Sequence, residues 1–151
     1  MASAKKTAPT NYSMIALAAL LLLLSMVFLL NFRLFITDGP SMEPTYAEGT
    51  FLLSLRLHDA PAPGDVVLLQ HKGIYCLKRV AFIAGDDVTL HGYEGYWGSS
   101  TVPEGYVYVL GDNRGESFDS RDPEFGLVAI SDIWGKPLSQ RENPNTTNME
   151  E

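Results

Sequence analysis

The sequence places a serine in a segment that could serve either chemistry or an ordinary turn. Ser41 lies in "GPSMEPT" (39–45), between a Gly-Pro pair and Met-Glu-Pro. A serine hydroxyl is a weak nucleophile until a neighbouring base removes its proton. Gly, Pro and Ser also crowd together in turns for backbone reasons alone. The segment therefore leaves both a nucleophile and a turn residue open until a base is found.

Histidine is the usual base for a serine, and the chain has three histidines, which are His58, His71 and His91. Each lies in a polar, turn-like or strand-end context, and none has a neighbouring carboxylate placed to orient its ring. We therefore predict that all three are surface residues and not the base of a triad.

Lysine can act as a base only if its pKa falls far below its usual value of about 10.4. Burial lowers the pKa, because it disfavours the charged ammonium form. Alternation along "GIYCLKRVAFI" (73–83) places Lys78 in an apolar row with Ile74, Cys76 and Val80. Arg79 points to the other face and cannot lose its proton, and Lys72 beside Gly73 looks exposed. The pattern allows a buried base at Lys78, or an edge lysine whose amine reaches solvent.

A third candidate is the polar segment "LGDNRGESFDSRD" (110–122), which lies between two apolar runs. Such a segment is either a plain surface loop or a fixed network of hydrogen bonds around a site. The residue types alone do not decide between these.

Composition and charge exclude several classes of site. Cys76 is the one cysteine of the chain, so an intramolecular disulfide and a Cys-rich metal site are both impossible. The histidines have no ligand spacing, so we expect no metal site and no cofactor. The residues after position 37 hold all 18 acidic residues but eight of the 11 basic ones, a net charge of −10. This acidic remainder argues against nucleic-acid binding.

The elements that must position these residues begin with an apolar run near the N-terminus. "MIALAALLLLLSMVFLL" (14–30) approaches, with its flanks, the length that a helix needs to cross a bilayer. A cleaved signal peptide would have a shorter apolar core and a small-residue cleavage site, and a core helix would have a polar face. We therefore predict a tail over 1–13 and an uncleaved transmembrane anchor over 14–36. Lys5 and Lys6 before the run place the N-terminus in the cytoplasm and the remainder outside.

Past the anchor the pattern changes to short apolar runs separated by Gly, Pro and Asp. This spacing predicts a mainly β, antiparallel domain over 37–138. The predicted strands cover residues 50–57, 65–70, 73–83, 87–93, 106–111 and 127–135. The polar segment 139–151 is predicted to be a disordered tail.

Four segments and a closing strand resemble, in order, the conserved boxes of the bacterial type I signal peptidases, which use a Ser/Lys dyad. They are "SMEPT", "PGDVV", "CLKRVAFIAGDDV", "VPEGYVYVLGDNRGESFDSR" and "GLVAISDIWGKPL", and together they span about residues 37–138.

The resemblance implies a role for each matching residue. Ser41 would be the nucleophile and Lys78 the general base, and Ser117 would hydrogen-bond the amine of Lys78. Asp112, Asp119 and Arg121 would support the site by ion pairing, with Arg79 opposite Asp112. Those that would border a pocket for a small substrate residue are Met42, Cys76 and Leu77.

The chain departs from part of that family at Gly39, where some members have a serine whose hydroxyl helps to bind the oxyanion. Stabilisation of the oxyanion would then rest on backbone N–H groups, chiefly that of Ser41, since Pro40 has none. The short stretch between the lysine box and the final box lacks the large accessory β-subdomain of some relatives.

The resemblance implies a single-pass serine endopeptidase of the bacterial inner membrane that removes signal peptides from secretory preproteins. It implies no metal, no cofactor, no nucleic acid and no obligate partner beyond preproteins and the lipid bilayer. Two alternatives remain, which are a self-cleaving Ser/Lys regulator on a related fold and a membrane-anchored β module that binds without cutting.

Overall fold

The structure of this protein is a computed structural model that describes residues 12–56 and 59–143. The chain divides between Asn31 and Phe32 into two compact units. Residues 1–11 with their two lysines, His58 and residues 144–151 lie outside the described residues, so the predictions made for them stay predictions.

The first unit contains helix α1, Tyr12–Asn31. Its 20 residues give a length of about 30 Å, which matches the hydrocarbon thickness of a bilayer. Within the described ranges, α1 is the one helix long and apolar enough to cross a membrane. The helix ends earlier than the predicted anchor of 14–36. Residues 32–36 form a strand instead, because each of them pairs with a residue of the next strand.

In the second unit, the described residues form seven strands of an antiparallel sheet. The strands are β1 Phe32–Ile36, β2 Phe51–Arg56, β3 Val66–His71, β4 Ile74–Phe82, β5 Tyr106–Leu110, β6 Val128–Ala129 and β7 Ile133–Pro137. Their order across the sheet is β1-β2-β7-β3-β4-β5-β6. The prediction of a mainly β domain preceded by an apolar helix is therefore confirmed.

Strand β3 lies near the middle of the sheet and is buried on both faces. Val67 and Leu69 join one hydrophobic cluster, and Val66 and Leu68 join another, as the alternation of side chains along a strand requires. A third cluster contains residues of β4 and β5 with Val88. β4, which carries Lys78, and its neighbours β3 and β5 are thus held by hydrophobic packing.

The predicted strand at 87–93 is wrong. Val88–His91 form one turn of 3₁₀ helix, because the Asp87 carboxylate accepts hydrogen bonds from the backbone N–H and the hydroxyl of Thr89. Gly92 ends the turn at φ +77°, a left-handed conformation that favours glycine. Side-chain capping by Asp competes with strand formation, and here it prevails.

The predicted strand at 127–135 is in fact two strands. β6 pairs with β5, a 3₁₀ turn at Ile130–Asp132 follows, and β7 then lies between β2 and β3. One apolar run therefore serves two distant positions in the sheet.

The polar segment after Ser139 is tied to the β domain by the side chains of Gln140 and Arg141, and Asn143 is buried, which contradicts the predicted disorder for this part. The side chain of Gln140 accepts a hydrogen bond from the N–H of Val66 and donates one to its carbonyl. The Arg141 guanidinium lies over the Tyr46 ring, 5.4 Å from its centroid. These backbone and ring partners fix a segment whose composition alone suggested a free tail.

Candidate active site

Ser41 lies in the connection between β1 and β2, within a tight turn. The N–H of Glu43 donates to the carbonyl of Pro40 at 3.0 Å, and the N–H of Tyr46 donates to that of Met42 at 2.9 Å. Met42 and Tyr46 are buried beneath the turn, whereas Ser41 is half-buried. The buried residues hold the turn, so that the serine faces the adjoining cavity.

Lys78 lies on β4, which is not an edge strand, because β3 and β5 flank it. The residue is 4% exposed, so the alternative of an edge lysine reaching solvent does not describe it. Burial lowers the pKa of the Lys78 amine; the nearby Cys76 and Asp119 raise it, and Arg121 lowers it. The net direction is downward, which favours the neutral amine that a base requires.

The amine of Lys78 donates a hydrogen bond to the hydroxyl oxygen of Ser117 at 3.0 Å. The side chain of Ser117 also lies beside the carboxylate of Asp119. Burial raises the pKa of Asp119, but Arg121, the N–H of Gly111 and Ser117 together outweigh burial and hold that pKa below its usual range. A chain of contacts therefore leads from the amine to a fixed, negatively charged carboxylate.

Asp119 is held in place by Arg121, with Nε donating to Oδ1 at 2.8 Å and Nη2 to Oδ2 at 3.0 Å. The other Nη2 contacts of Arg121 are the carbonyls of Arg114 and Ser117. Such a bidentate pair fixes geometry as well as charge.

A second ion pair lies beneath the serine turn. Arg79 donates from Nε to Oδ1 of Asp112 at 2.8 Å and from Nη2 to Oδ2 at 2.7 Å. The hydroxyl of Thr45 donates to the same carboxylate at 2.5 Å. Arg79 also donates to the carbonyls of Gly64 and Arg141. Asp112 thus joins the serine turn to β4.

The serine turn and the polar segment meet at Gly111. The N–H of Asn113 donates to the carbonyl of Ser41 at 3.0 Å. A Cβ atom added to Gly111 would overlap the Ser117 side chain and lie 2.5 Å from the carbonyl oxygen of Ser41. Only glycine allows this close approach.

Two neighbouring cavities open at this point. The larger, of about 380 Å³, is lined by Ser41 and Lys78 together, with Gly39 and Pro40 beside the serine. The smaller, of about 140 Å³, is also lined by Ser41. The residues that the resemblance assigned to a substrate pocket all line the smaller cavity, and they are Met42, Cys76 and Leu77. The structure therefore places the predicted site residues in one cleft or in its supporting ion pairs, except Ser117, which contacts the cleft through the amine of Lys78.

Cys76 faces both cavities. Burial raises the pKa of its thiol to about 11, although the charge of Lys78 lowers it. The thiol is therefore protonated at neutral pH and behaves as a small apolar side chain.

The sequence analysis missed the part that His71 plays. Its ring stacks on Phe125, with the centroids 4.1 Å apart, and Nε2 is buried without a hydrogen-bond partner. Burial and the charge of Lys72 lower the pKa of His71, whereas Asp132 raises it. His71 lines the larger cavity with Phe118, so the prediction of a plain surface histidine is wrong. His91 is exposed, as predicted.

The sequence analysis also missed Thr45 and Gly111. Their only signal was their place inside the first and last motifs. Among the described residues, no group of three or more His, Cys, Asp or Glu side chains is placed to hold a metal ion.

Comparison with known proteins identifies the family of this chain. The family described as "Signal peptidase, peptidase S26" matches residues 10–96 and 91–139. Signal peptidase I of Bacillus licheniformis is 28% identical over 154 residues, covering 80% of this chain and 81% of the relative. Signal peptidase I P of Bacillus subtilis subsp. natto is 29% identical with the same coverage.

A mitochondrial protein is also similar. Mitochondrial inner membrane protease subunit 1 of Schizosaccharomyces pombe is 33% identical over 121 residues, covering 70% of this chain and 76% of that protein. The motifs, the fold and these matches lead to one assignment: the chain belongs to the type I signal peptidases of peptidase family S26.

Proposed function

We propose that this peptidase is a membrane-anchored serine endopeptidase that removes signal peptides with a Ser41/Lys78 dyad. The observation that carries the proposal is the buried amine of Lys78, which is hydrogen-bonded to Ser117 and lines the same cavity as Ser41. A buried lysine with a lowered pKa is the kind of base that can deprotonate a serine.

In the proposed first step, neutral Lys78 takes the hydroxyl proton of Ser41 while the serine oxygen bonds to the scissile carbonyl carbon. The oxyanion is stabilised by the N–H of Ser41, since Gly39 offers no side-chain hydroxyl. The peptide C–N bond then breaks, and the Lys78 ammonium gives its proton to the leaving amine. An acyl-enzyme remains on Ser41.

In the second step, Lys78 takes a proton from water, and the resulting hydroxide attacks the acyl carbon. The Ser41 oxygen leaves and recovers the proton from Lys78. Ser117 keeps the amine directed at its partners in both steps, because its hydroxyl oxygen can accept an N–H of Lys78 whether the amine is neutral or protonated.

The proposed substrates carry small residues at the first and third positions before the cut. The 140 Å³ cavity beside Ser41 supports this proposal, because it is bordered by Met42, Cys76 and Leu77 and leaves little room for a large side chain. The substrates themselves are secretory preproteins, as the name of the family suggests.

The proposed location is the bacterial inner membrane, with the N-terminus in the cytoplasm and the β domain outside. Helix α1 supports the anchor by its length and composition. Paired positions on β1 and β2 also expose four apolar side chains on one face, which are Leu34, Leu53, Ile36 and Phe51. Contiguous exposed apolar patches of this kind mark membrane or protein contacts.

The orientation is tested by adding protease to intact spheroplasts. The protease should digest the β domain and spare the N-terminal tail. Protection of the domain until lysis would refute this orientation.

The activity is tested with the detergent-solubilised protein and a preprotein. We expect cleavage by the wild type and none by Ser41→Ala or by Lys78→Arg, since a guanidinium cannot act as a base. Ser131→Ala, at an exposed serine on the second 3₁₀ turn, is the matched control and should cleave normally. Cleavage by Lys78→Arg at a near-normal rate would refute the dyad, and failure of the wild type to cleave would favour a binding module.

A further inference from the structure

The larger cavity has a wall that the proposed dyad does not use. Three aromatic side chains, His71, Phe118 and Phe125, pack against one another along it. The Phe118 and Phe125 rings meet edge to face with their centroids 5.3 Å apart, an arrangement that aromatic pairs prefer. We call these three residues the aromatic wall.

The aromatic wall is built from two segments that are tied together. His71 ends β3, and Phe118 and Phe125 follow β5. The amine of Lys72, in the hairpin between β3 and β4, donates to the carbonyl of Glu124 at 3.0 Å. Phe125 is buried in the core of the sheet, so packing against the core fixes the position of the aromatic wall.

The open side of the wall is apolar and accessible. Phe118 is 48% exposed, and Ile74, which lines the same cavity, is 72% exposed. Burial lowers the pKa of His71, so its ring is neutral near pH 7. A large apolar side chain entering here would remove this surface from water, which is favourable.

The larger cavity differs from the small pocket in volume. The two cavities share Ser41, so a peptide whose carbonyl is within reach of the serine lies beside both. The smaller measures about 140 Å³ and the larger about 380 Å³. A peptide bound across them can place a small side chain in one and a bulky side chain in the other.

From this geometry we infer that the aromatic wall forms a second specificity subsite, which accepts a bulky apolar or aromatic side chain of the substrate close to the cut. The inference rests on the proposed peptidase function. It predicts that such substrates are preferred over those with alanine at the same position, although small residues are still required for the small pocket.

The test uses peptides that share one cleavage sequence, with small residues held constant at the first and third positions before the cut. Phe or Ala is placed in turn at the second position before the cut and at the first two positions after it. We expect Phe to raise kcat/KM about tenfold over Ala at one of these positions, a size typical of apolar pockets. This ratio should fall to about one in Phe118→Ala and persist in Phe118→Tyr.

Tyr106→Ala is the matched control, because Tyr106 is an exposed aromatic residue on β5 that lines neither cavity. It should keep the wild-type ratio. A wild-type ratio of one at every position, or an unchanged ratio in Phe118→Ala, would overturn the subsite while leaving the peptidase proposal standing.

Binding to Ser41→Ala, measured by fluorescence anisotropy with labelled peptides, separates the two proposals further. If the wild type cuts no peptide, the peptidase proposal fails. The subsite still stands in that case if the Phe peptide binds better than the Ala peptide and Phe118→Ala removes the difference. Equal binding of both peptides would overturn it.

Discussion

Two arginine–aspartate pairs flank the cleft, and they differ in the part of the site that each aspartate contacts. Asp112, paired with Arg79, accepts a hydrogen bond from Thr45 and so supports the turn that carries Ser41. Asp119, paired with Arg121, lies beside Ser117, whose hydroxyl oxygen accepts a hydrogen bond from the amine of Lys78.

The pairs also differ in exposure. Both aspartate side chains are fully buried, but the Arg79 side chain is 12% exposed and that of Arg121 is 32% exposed. A buried charge that loses its partner lowers the free energy of unfolding strongly, whereas a more exposed charge can be solvated by water instead. The first pair should therefore contribute more to stability, and the second more directly to the electrostatics of the proposed base.

The largest expected effect comes from the glycine between the two pairs. Gly111→Ala forces the Ser117 side chain and the carbonyl of Ser41 apart, because a Cβ has no room there. We expect loss of cleavage beyond about a hundredfold, since a displacement of about 1 Å can cost that much. Gly115→Ala in the same loop, where a Cβ meets nothing within 4 Å, should cleave normally. Normal cleavage by Gly111→Ala would show that the close contact of Ser117 and the Ser41 carbonyl with Gly111 is not needed for activity.

The next largest effect is on stability, and it tests the asymmetry between the pairs. Asp112→Ala leaves Arg79 buried without its partner and should lower the free energy of unfolding by about 3–5 kcal/mol. Asp119→Ala leaves the buried N–H of Gly111 unpaired, but Arg121 can reach water, so we expect a loss of about 1–3 kcal/mol. Chemical denaturation of both variants measures this. A larger loss for Asp119→Ala would reverse the comparison.

A smaller effect separates two hydroxyls, that of Ser117 beside the amine of Lys78 and that of Thr45 beneath the serine turn. Ser117→Ala should lower kcat about a hundredfold with KM and Tm nearly unchanged, because a misoriented base slows the reaction without unfolding the protein. Thr45→Val should instead cost about 1 kcal/mol of stability and less than tenfold in kcat. Steady-state kinetics and a thermal melt of each variant distinguish the two patterns. A near-normal kcat for Ser117→Ala would remove that residue from the site.

The smallest effect is on the pH profile. Asp119 raises the pKa of Lys78 and Arg121 lowers it, and only the neutral amine can act as a base. Asp119→Asn should therefore lower that pKa and move the acid limb of kcat to lower pH. Arg121→Gln should raise the pKa and move the limb to higher pH. Glu104→Gln, at an exposed turn residue, is the control. Shifts of the same sign in the first two variants would contradict the proposed electrostatics.

The sequence predicted those parts of the site that follow from local patterns. Alternation placed Lys78 with Ile74, Cys76 and Val80 on one face. The structure packs Cys76 and Val80 into the core and buries Lys78, whereas Ile74 at the start of β4 is exposed. The spacing of the turns predicted an antiparallel sheet, because turn residues act within a few positions.

What the sequence could not show depends on contacts between distant segments. Thr45 and Asp112 are 67 positions apart, and Gln140 and Val66 are 74 positions apart. Neither pair belongs to a periodic pattern, so the support beneath the serine turn and the packing after Ser139 emerge only in the folded chain. The same holds for His71, which polar neighbours in sequence suggested was exposed but which stacks on Phe125.

The central place of β7 has a consequence for how the protein is made. The strand lies between β2 and β3 although it is the last in sequence. It therefore joins the part of the sheet that presents Ser41 to the part that presents Lys78. While residues 133–137 are still unsynthesised, a growing chain lacks the strand that holds these parts in register. Pairings between distant segments form slowly, so we expect Ser41 and Lys78 to come together late, and the proposed dyad to assemble only after residues 133–137 have been synthesised.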